Sequence, residues 1–328
     1  MSQSLTDNFG RVIDYLRVSV TDRCNLRCVY CMPEEGVPSL SHDDILRYEE
    51  IVRLARIAAN LGVRTVRLTG GEPLVRRSIV DLVSMLAEVE GIDSVNMTTN
   101  GTLLAPMAGE LAEAGLERVN ISLDSLRPDR YAAITRRANL KDALAGIEAA
   151  HAAGLCPVKI NMVVMGGVNE DEVVDFARRT RSHGWHVRFI ECMPLGEQAD
   201  NAWRDYVSSD EIRRMIEDTL GTLRPAEIAS KGPSHTWRLP GAEGTIGFIS
   251  AISHKFCDRC NRLRLTADGR LLPCLLSDVE FDLRAPLRHG ADDKVLRDIF
   301  LQAVAAKPKG HRLHQHATTR HEMSRIGG

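Results

Sequence analysis

Six short stretches alternate apolar and polar residues: 17–21, 65–69, 94–99, 118–124, 158–165 and 186–193. A period of two predicts β-strands. Between them, 43–60, 78–90, 104–114, 141–153 and 170–183 carry helical patterns. Gly62, Gly91, Gly115, Gly154 and Gly184 each follow one of these, as helix stop signals do. Strand–helix alternation predicts a parallel sheet, and six units fall short of a closed eight-stranded barrel. The expected fold is α/β, an incomplete (β/α)6 barrel of the TIM type.

The polar positions of the strands carry a second message. Parallel strands covered on both faces are apolar on both. Here one parity is polar in strand after strand: Arg17, Ser19 and Thr21; Arg67 and Thr69; Asn96, Thr98 and Asn100; Asn120, Ser122 and Asp124; Lys159 and Asn161. The helices need the apolar face, so the polar face lines the inside. A wet, hydrogen-bonding lumen is expected where a closed barrel packs Val, Ile and Leu. A polar face open to solvent would favour Lys and Glu over Asn, Ser and Thr.

Beyond residue 193 the pattern weakens. Residues 196–205 read as a polar loop and 209–220 as a helix capped by Ser208 or Ser209. Pro233, Pro240, Gly241 and Gly244 mark an irregular stretch. The expected division is 1–240 for the barrel and 241–328 for a C-terminal region.

Composition narrows the class. Against 42 basic residues stand 44 acidic ones, so no global field points to nucleic acid or membrane. Aromatic residues make up only 5%, which argues further against RNA binding. No apolar run approaches the roughly 20 residues that span a bilayer, and residues 1–10 have no signal-peptide core. A cytoplasmic protein is expected. In that setting eight cysteines point to metal rather than disulfides.

The cysteines are clustered. Cys24, Cys28 and Cys31 form C-x3-C-x2-C just after the first strand. Three thiolates suit an iron–sulfur cluster with one iron left open; a zinc site lacking a ligand is the alternative. Gly70-Gly71-Glu72-Pro73 follows the second strand, at the end where barrel loops build active sites. Its glycines permit close backbone approach to a ligand, and Glu72 can pair with an ammonium. Near the C-terminus come Cys257, Cys260 and Cys274, the last folded back by an Asp268-Gly269 hairpin signal. These make a second open triad, or a zinc knuckle completed by a histidine such as His254. Arg262 and Arg264 share strand parity with Cys260. With no Walker A motif and no Gly-x-Gly-x-x-Gly, a bound triphosphate would rest on Arg17, Arg67, Lys159, Arg262 and Arg264, with Asp124 able to neutralise one cation. His311, His314 and His316 read as solvated.

Together these residues resemble the GTP 3′,8-cyclase family of molybdenum cofactor biosynthesis, within the radical S-adenosylmethionine (SAM) superfamily. The resemblance rests on Leu-Arg-Val-Ser-Val-Thr-Asp-Arg-Cys at 16–24, Leu-Thr-Gly-Gly-Glu-Pro-Leu at 68–74, Thr-Thr-Asn-Gly at 98–101 and Asn-Ile-Ser-Leu-Asp-Ser at 120–125. It extends to Lys-Ile-Asn-Met-Val-Val-Met at 159–165, the C-terminal cysteines and the terminal Met-Ser-x-Ile-Gly-Gly. It implies two [4Fe-4S] clusters, on Cys24/Cys28/Cys31 and on Cys257/Cys260/Cys274. It implies SAM on the first, contacted by Tyr30, Gly71, Glu72, Ser122 and Met193. It implies GTP facing the second, held by Arg17, Arg67, Thr98, Lys159, Arg262, Leu263 and Arg264. It also implies that the tail, Gly327-Gly328, enters the active site and acts with Arg262 and Arg264. Gly166 departs from the family pattern, where Lys or Arg is usual.

The implied chemistry begins with one electron passed to the SAM sulfonium. The 5′-deoxyadenosyl radical then removes the 3′ hydrogen of GTP, and the sugar radical attacks C8 of guanine. The implied partners are a one-electron donor and cyclic pyranopterin monophosphate synthase, which takes the product, with a homodimer as candidate assembly. Two other readings stay open. A peptide maturase with two clusters would not need a ring of lumen cations. A non-catalytic zinc or Fe–S protein would not need Gly-Gly-Glu-Pro at a strand end.

Overall fold

The computed structural model describes residues 4–195, 199–226, 232, 234–311, 313 and 323–326. Six strands form in the expected places: β1 (Tyr15–Ser19), β2 (Thr65–Thr69), β3 (Ser94–Thr99), β4 (Leu116–Ser122), β5 (Lys159–Val164) and β6 (His186–Glu191). The helices packed outside them are α1 (Tyr48–Asn60), α2 (Ile79–Ala87), α3 (Ala108–Glu113), α4 (Pro128–Thr135), α5 (Leu140–Ala152) and α6 (Val173–Ser182). All five adjacent pairs from β1 to β6 are parallel. The apolar parity, with Val66, Leu68, Val119, Ile121, Ile160, Met162, Val187 and Phe189, is buried beneath the helices. Each such aliphatic or aromatic side chain contributes about 1.5–3 kcal/mol by leaving water.

The C-terminal half extends this sheet. After α7 (Ala199–Arg204) and α8 (Ser209–Leu220) come β7 (Arg224–Pro225), β8 (His235–Arg238), β9 (Thr245–Ile249), β10 (Arg262–Leu265), β11 (Arg270–Leu272) and β12 (Phe281–Asp282). The strand order is β12-β11-β10-β1-β2-β3-β4-β5-β6-β9-β8-β7. β9 joins β6 in parallel and β10 joins β1 in parallel. The partial barrel therefore gains one parallel strand on each edge. Residues 250–261 run from the C-terminal end of β9 to the N-terminal end of β10, a strap along the lumen's open side. α9 (Arg284–Arg288), α10 (Asp293–Ala305) and the short α11 (Met323–Ile326) complete the chain.

Several boundaries differ from the sequence reading. The first helix starts at Tyr48, not at residue 43. The carbonyls of Asp44 and Ile45, which a longer helix would use, accept instead from Arg284 (2.7 Å) and Arg288 (2.9 Å). The polar stretch 196–205, read as a loop, contains α7. α4, with Pro128 in its first turn, forms where no helix was expected. α8 has its expected N-cap: the Ser208 hydroxyl accepts from Glu211 N, and the Glu211 carboxylate accepts from Ser208 N at 2.9 Å. Among the described residues no helix is long and apolar enough to cross a membrane.

Candidate active site

The polar parity encloses a cavity of about 630 Å³. Arg17, Arg67, Lys159, Arg262 and Arg264 line it as expected, and Arg64, Arg118 and Arg188 join them. Asp93 is the one carboxylate among the described lining residues. Strand register sharpens the picture. Arg264 on β10 pairs with Arg17 on β1, which pairs with Arg67 on β2. Three arginines thus stand side by side across neighbouring strands, where like charges repel. Burial, and then the charge of Arg264, holds the Arg17 guanidinium well below its ordinary value. Burial, with Arg188 and Arg67, pushes Lys159 down to about 7. Burial and neighbouring cations likewise bring Arg188 to about 9 and Arg264 to about 10.

Uncharged groups complete the wall. Asn96, Thr98, Asn120 and Asn161 line the cavity, and each has a buried side-chain oxygen with no hydrogen-bond partner. Tyr15 sits at the start of β1. Its hydroxyl accepts from Arg67 Nε, and its ring lies 5.7 Å from the Arg262 guanidinium carbon. Tyr15 and Arg188 were absent from the sequence reading. Extending the alternation to 15 and 188 would have found both.

The first triad lies beyond the C-terminal end of β1. None of the three is in a disulfide, and all are half-buried. Cys28 feels Cys31 and Cys24 electrostatically, so the three are neighbours. Cys24 Sγ accepts from Leu26 N at 3.3 Å, and burial pushes the thiol up to about 11. Gly70 and Gly71 are required for close approach, but to protein. A Cβ at Gly70 would meet Thr21 O at 2.6 Å, and one at Gly71 would collide with the Arg23 carbonyl. They seat the turn against the chain leading into the triad.

Glu72 differs from expectation in the same way. Its carboxylate is buried and accepts from Leu74 N (3.0 Å), Thr99 Oγ1 (2.7 Å) and Asn100 N (2.7 Å). Burial raises it to about 7 despite these bonds. It ties the turn to the end of β3 rather than projecting an open carboxylate. Tyr30 donates to Asp124 Oδ2 at 2.8 Å, and Val163 N donates to Asp124 Oδ1 at 2.8 Å. Asp124 therefore orients Tyr30 and neutralises no lumen arginine. Ser122 stands at the end of β4 on the lumen parity, and Met193 lines the cavity past β6.

The second triad lies at the opposite end. Cys257 and Cys260 precede β10, whose N-terminus pairs with that of β1; Cys274 follows β11, which returns antiparallel. Cys274 feels Cys260 and Cys257, and its sulfur accepts from Leu276 N at 3.5 Å. His254, the candidate zinc ligand, bonds Asp210 at 2.8 Å instead. Among the described residues no three His, Cys, Asp or Glu side chains converge on a single metal ion. Two groups of three neighbouring free thiols, each with a backbone N–H on a sulfur, fit the larger footprint of an iron–sulfur cluster. Cys156 is exposed and Cys192 is buried; neither belongs to a triad.

One expectation needs correction, and one is narrowed. The Leu263 side chain is fully buried in the core, on the face opposite Arg262 and Arg264, which leaves only its backbone for a ligand in the lumen. His311 is buried, not solvated. Gly327, Gly328, His314 and His316 lie outside the described residues. The residue before the terminal glycines, Ile326, is buried, and its carbonyl accepts from Arg264 at 3.3 Å.

Residues 18–180 match the Radical SAM superfamily model, and residues 185–313 match the model Molybdenum Cofactor Synthesis C. A GTP 3′,8-cyclase of Heliobacterium modesticaldum is 56% identical over 94% of this chain and 95% of its own. One of Moorella thermoacetica is 51% identical over 99% of this chain and 100% of its own. Among solved structures, Streptococcus suis SuiB bound to S-adenosylmethionine superposes with a TM-score of 0.60 at 14% identity, covering 91% of this chain and 68% of that one. At that identity the likeness concerns the fold, which is the partial barrel described above. With half of its positions shared along nearly the whole length and both models matched in order, the chain belongs to the GTP 3′,8-cyclase family of the radical SAM superfamily.

Proposed function

We propose that the chain converts GTP to (8S)-3′,8-cyclo-7,8-dihydroguanosine 5′-triphosphate, the first step of molybdopterin biosynthesis, using SAM and two [4Fe-4S] clusters. The observation that carries this reading is the in-register row Arg264–Arg17–Arg67. Three adjacent guanidinium groups, on the buried Arg67 and Arg264 and the half-buried Arg17, repel one another unless a polyanion lies among them. Arginine forks match phosphate oxygens, and Lys159 and Arg188 extend the row around the wall.

Cys24, Cys28 and Cys31 would hold the cluster that binds SAM, and Cys257, Cys260 and Cys274 the second. When bound, the first cluster supplies the electron that cleaves the SAM sulfonium, with an external one-electron donor as source. The protein's part is placement. Tyr30, fixed by Asp124, and the turn at 70–73, fixed by Glu72, shape the SAM end. The arginine row holds the triphosphate midway, so the nucleoside spans the gap between the two ends. Asn96, Thr98, Asn120 and Asn161 offer hydrogen-bond partners to the nucleotide. Arg264, holding the Ile326 carbonyl, brings the tail toward the substrate. The product would pass to cyclic pyranopterin monophosphate synthase.

The test is anaerobic incubation of iron-loaded protein with SAM, a reductant and GTP. The expected result is 5′-deoxyadenosine formed together with the cyclised nucleotide. Iron-loaded protein that cleaves SAM yet leaves GTP unchanged overturns the reading.

A further inference from the structure

The segment following α10 wraps the second triad. Lys307 is buried, and its ammonium donates to Pro273 O at 2.6 Å and to Arg262 O at 2.7 Å. Pro273 precedes Cys274, so one donor fixes the backbone beside that ligand. The other acceptor, Arg262 O, lies two residues after Cys260, so the buried ammonium stands between the backbone leading to Cys274 and the backbone leaving Cys260. Farther along, Gly310 packs its Cα side against Cys257, where a Cβ would lie 3.8 Å from the sulfur. On the other flank, Arg11 donates to the Cys257 carbonyl at 2.6 Å and to Pro308 O at 2.7 Å, while its own charge is met by Asp7 at 2.6 Å. Lys307 makes no ion pair with a carboxylate among the described residues.

We propose that Lys307 is the positioning cation of the second metal site: its fixed charge beside Cys260 and Cys274 favours the cluster form that carries one more electron. The inference rests on the reading that this triad holds a [4Fe-4S] cluster. The physical reason is general. Potentials of such clusters follow net charge, hydrogen bonds to sulfur and solvent exposure. Adding one electron makes the cluster one unit more negative, and a buried cation fixed on the backbone beside its ligands stabilises that form. The electron comes from the external one-electron donor, and no bond is made or broken at the lysine.

The experiment uses the full chain, reconstituted anaerobically, as wild type and as Lys307→Gln and Lys307→Arg. Gln keeps an N–H donor for the two carbonyls and removes the charge; Arg keeps the charge. Iron content is measured first, and each cluster is then followed by electron paramagnetic resonance during a redox titration. At a fixed poise the Gln variant should hold at least tenfold less of the second cluster in its reduced form, about 59 mV for one electron. The Arg variant should stay close to wild type, and the first cluster should not move. A Gln variant that loses iron only at the second site, rescued by Arg, also supports the charge. A loaded Gln variant with the wild-type midpoint overturns the proposal, as does loss of iron in both variants, since shape rather than charge would then matter. Zinc or no cluster at this triad in the wild type would instead sink the underlying two-cluster reading.

Discussion

The two cysteine triads share ligand type and number, but their charged surroundings differ. At the first, carboxylates add to the effect of burial, Glu72 at Cys24 and Asp124 at Cys28, with Arg27 opposing Glu72 at Cys24. At the second the nearby charges are cations: Lys307 and Arg262 act on Cys260, and Lys307 partly offsets the burial that raises Cys274. Three thiolates alone do not set what a site does. A cluster among buried carboxylates is harder to reduce and is a stronger reductant once reduced, as sulfonium cleavage demands. One collared by a lysine and an arginine is better suited to hold charge beside a polyanionic substrate.

The strongest way to break the comparison is to remove one ligand from each triad. Cys24→Ser should abolish 5′-deoxyadenosine formation altogether. Cys274→Ser should abolish cyclisation while leaving some uncoupled SAM cleavage, measured by chromatography of both products. Equal loss of SAM cleavage in the two variants would mean that the sites do not divide the work. Deleting Gly327 and Gly328 comes next. GTP affinity and iron content should hold, while cyclisation falls by orders of magnitude, because misplaced reacting groups cost rate even when binding persists.

Arg188 tests the lumen between the triads. Arg188→Ala removes charge-assisted bonds of about 1.5–3 kcal/mol, so calorimetry should find GTP affinity lower by roughly ten- to a hundredfold. Unchanged affinity would put the triphosphate elsewhere.

A smaller effect follows from Lys159, held at about 7 by burial and by Arg188. Below pH 7 it is charged; above, it is largely neutral. A polyanion raises its pKa, so binding takes up a proton, and affinity should fall as pH rises from 7 to 9. The slope is at most about tenfold per pH unit for a single proton, and Lys159→Arg should flatten it. The smallest effect is expected outside both triads: Cys156→Ser and Cys192→Ser should leave the iron content unchanged.

Much of this was legible along the chain. β2 and β3 lie where alternation put them, and the lumen is polar because Arg17, Arg67, Asn96, Asn120 and Lys159 share a parity that local periodicity reveals. Cysteine spacing alone grouped the ligands. Other features depended on groups distant in sequence. The start of α1 was set by Arg284 and Arg288, some 240 residues away. Glu72 looked like an open carboxylate until Thr99 and Asn100 arrived to occupy it.

The sequence by itself determined the strand–helix alternation, the polar lining and the two sets of three thiols, because each is a short-range pattern of side-chain chemistry. Only the tertiary structure decided where they stand relative to one another. The parallel pairing of β10 with β1 put Arg264 in line with Arg17 and Arg67 and set the triads at opposite ends of these strands. The fold also brought Lys307 onto the Pro273 carbonyl beside Cys274 and Asp124 against Tyr30. Register and long-range contact are fixed by packing between segments 34 to 247 residues apart, and no local period encodes them.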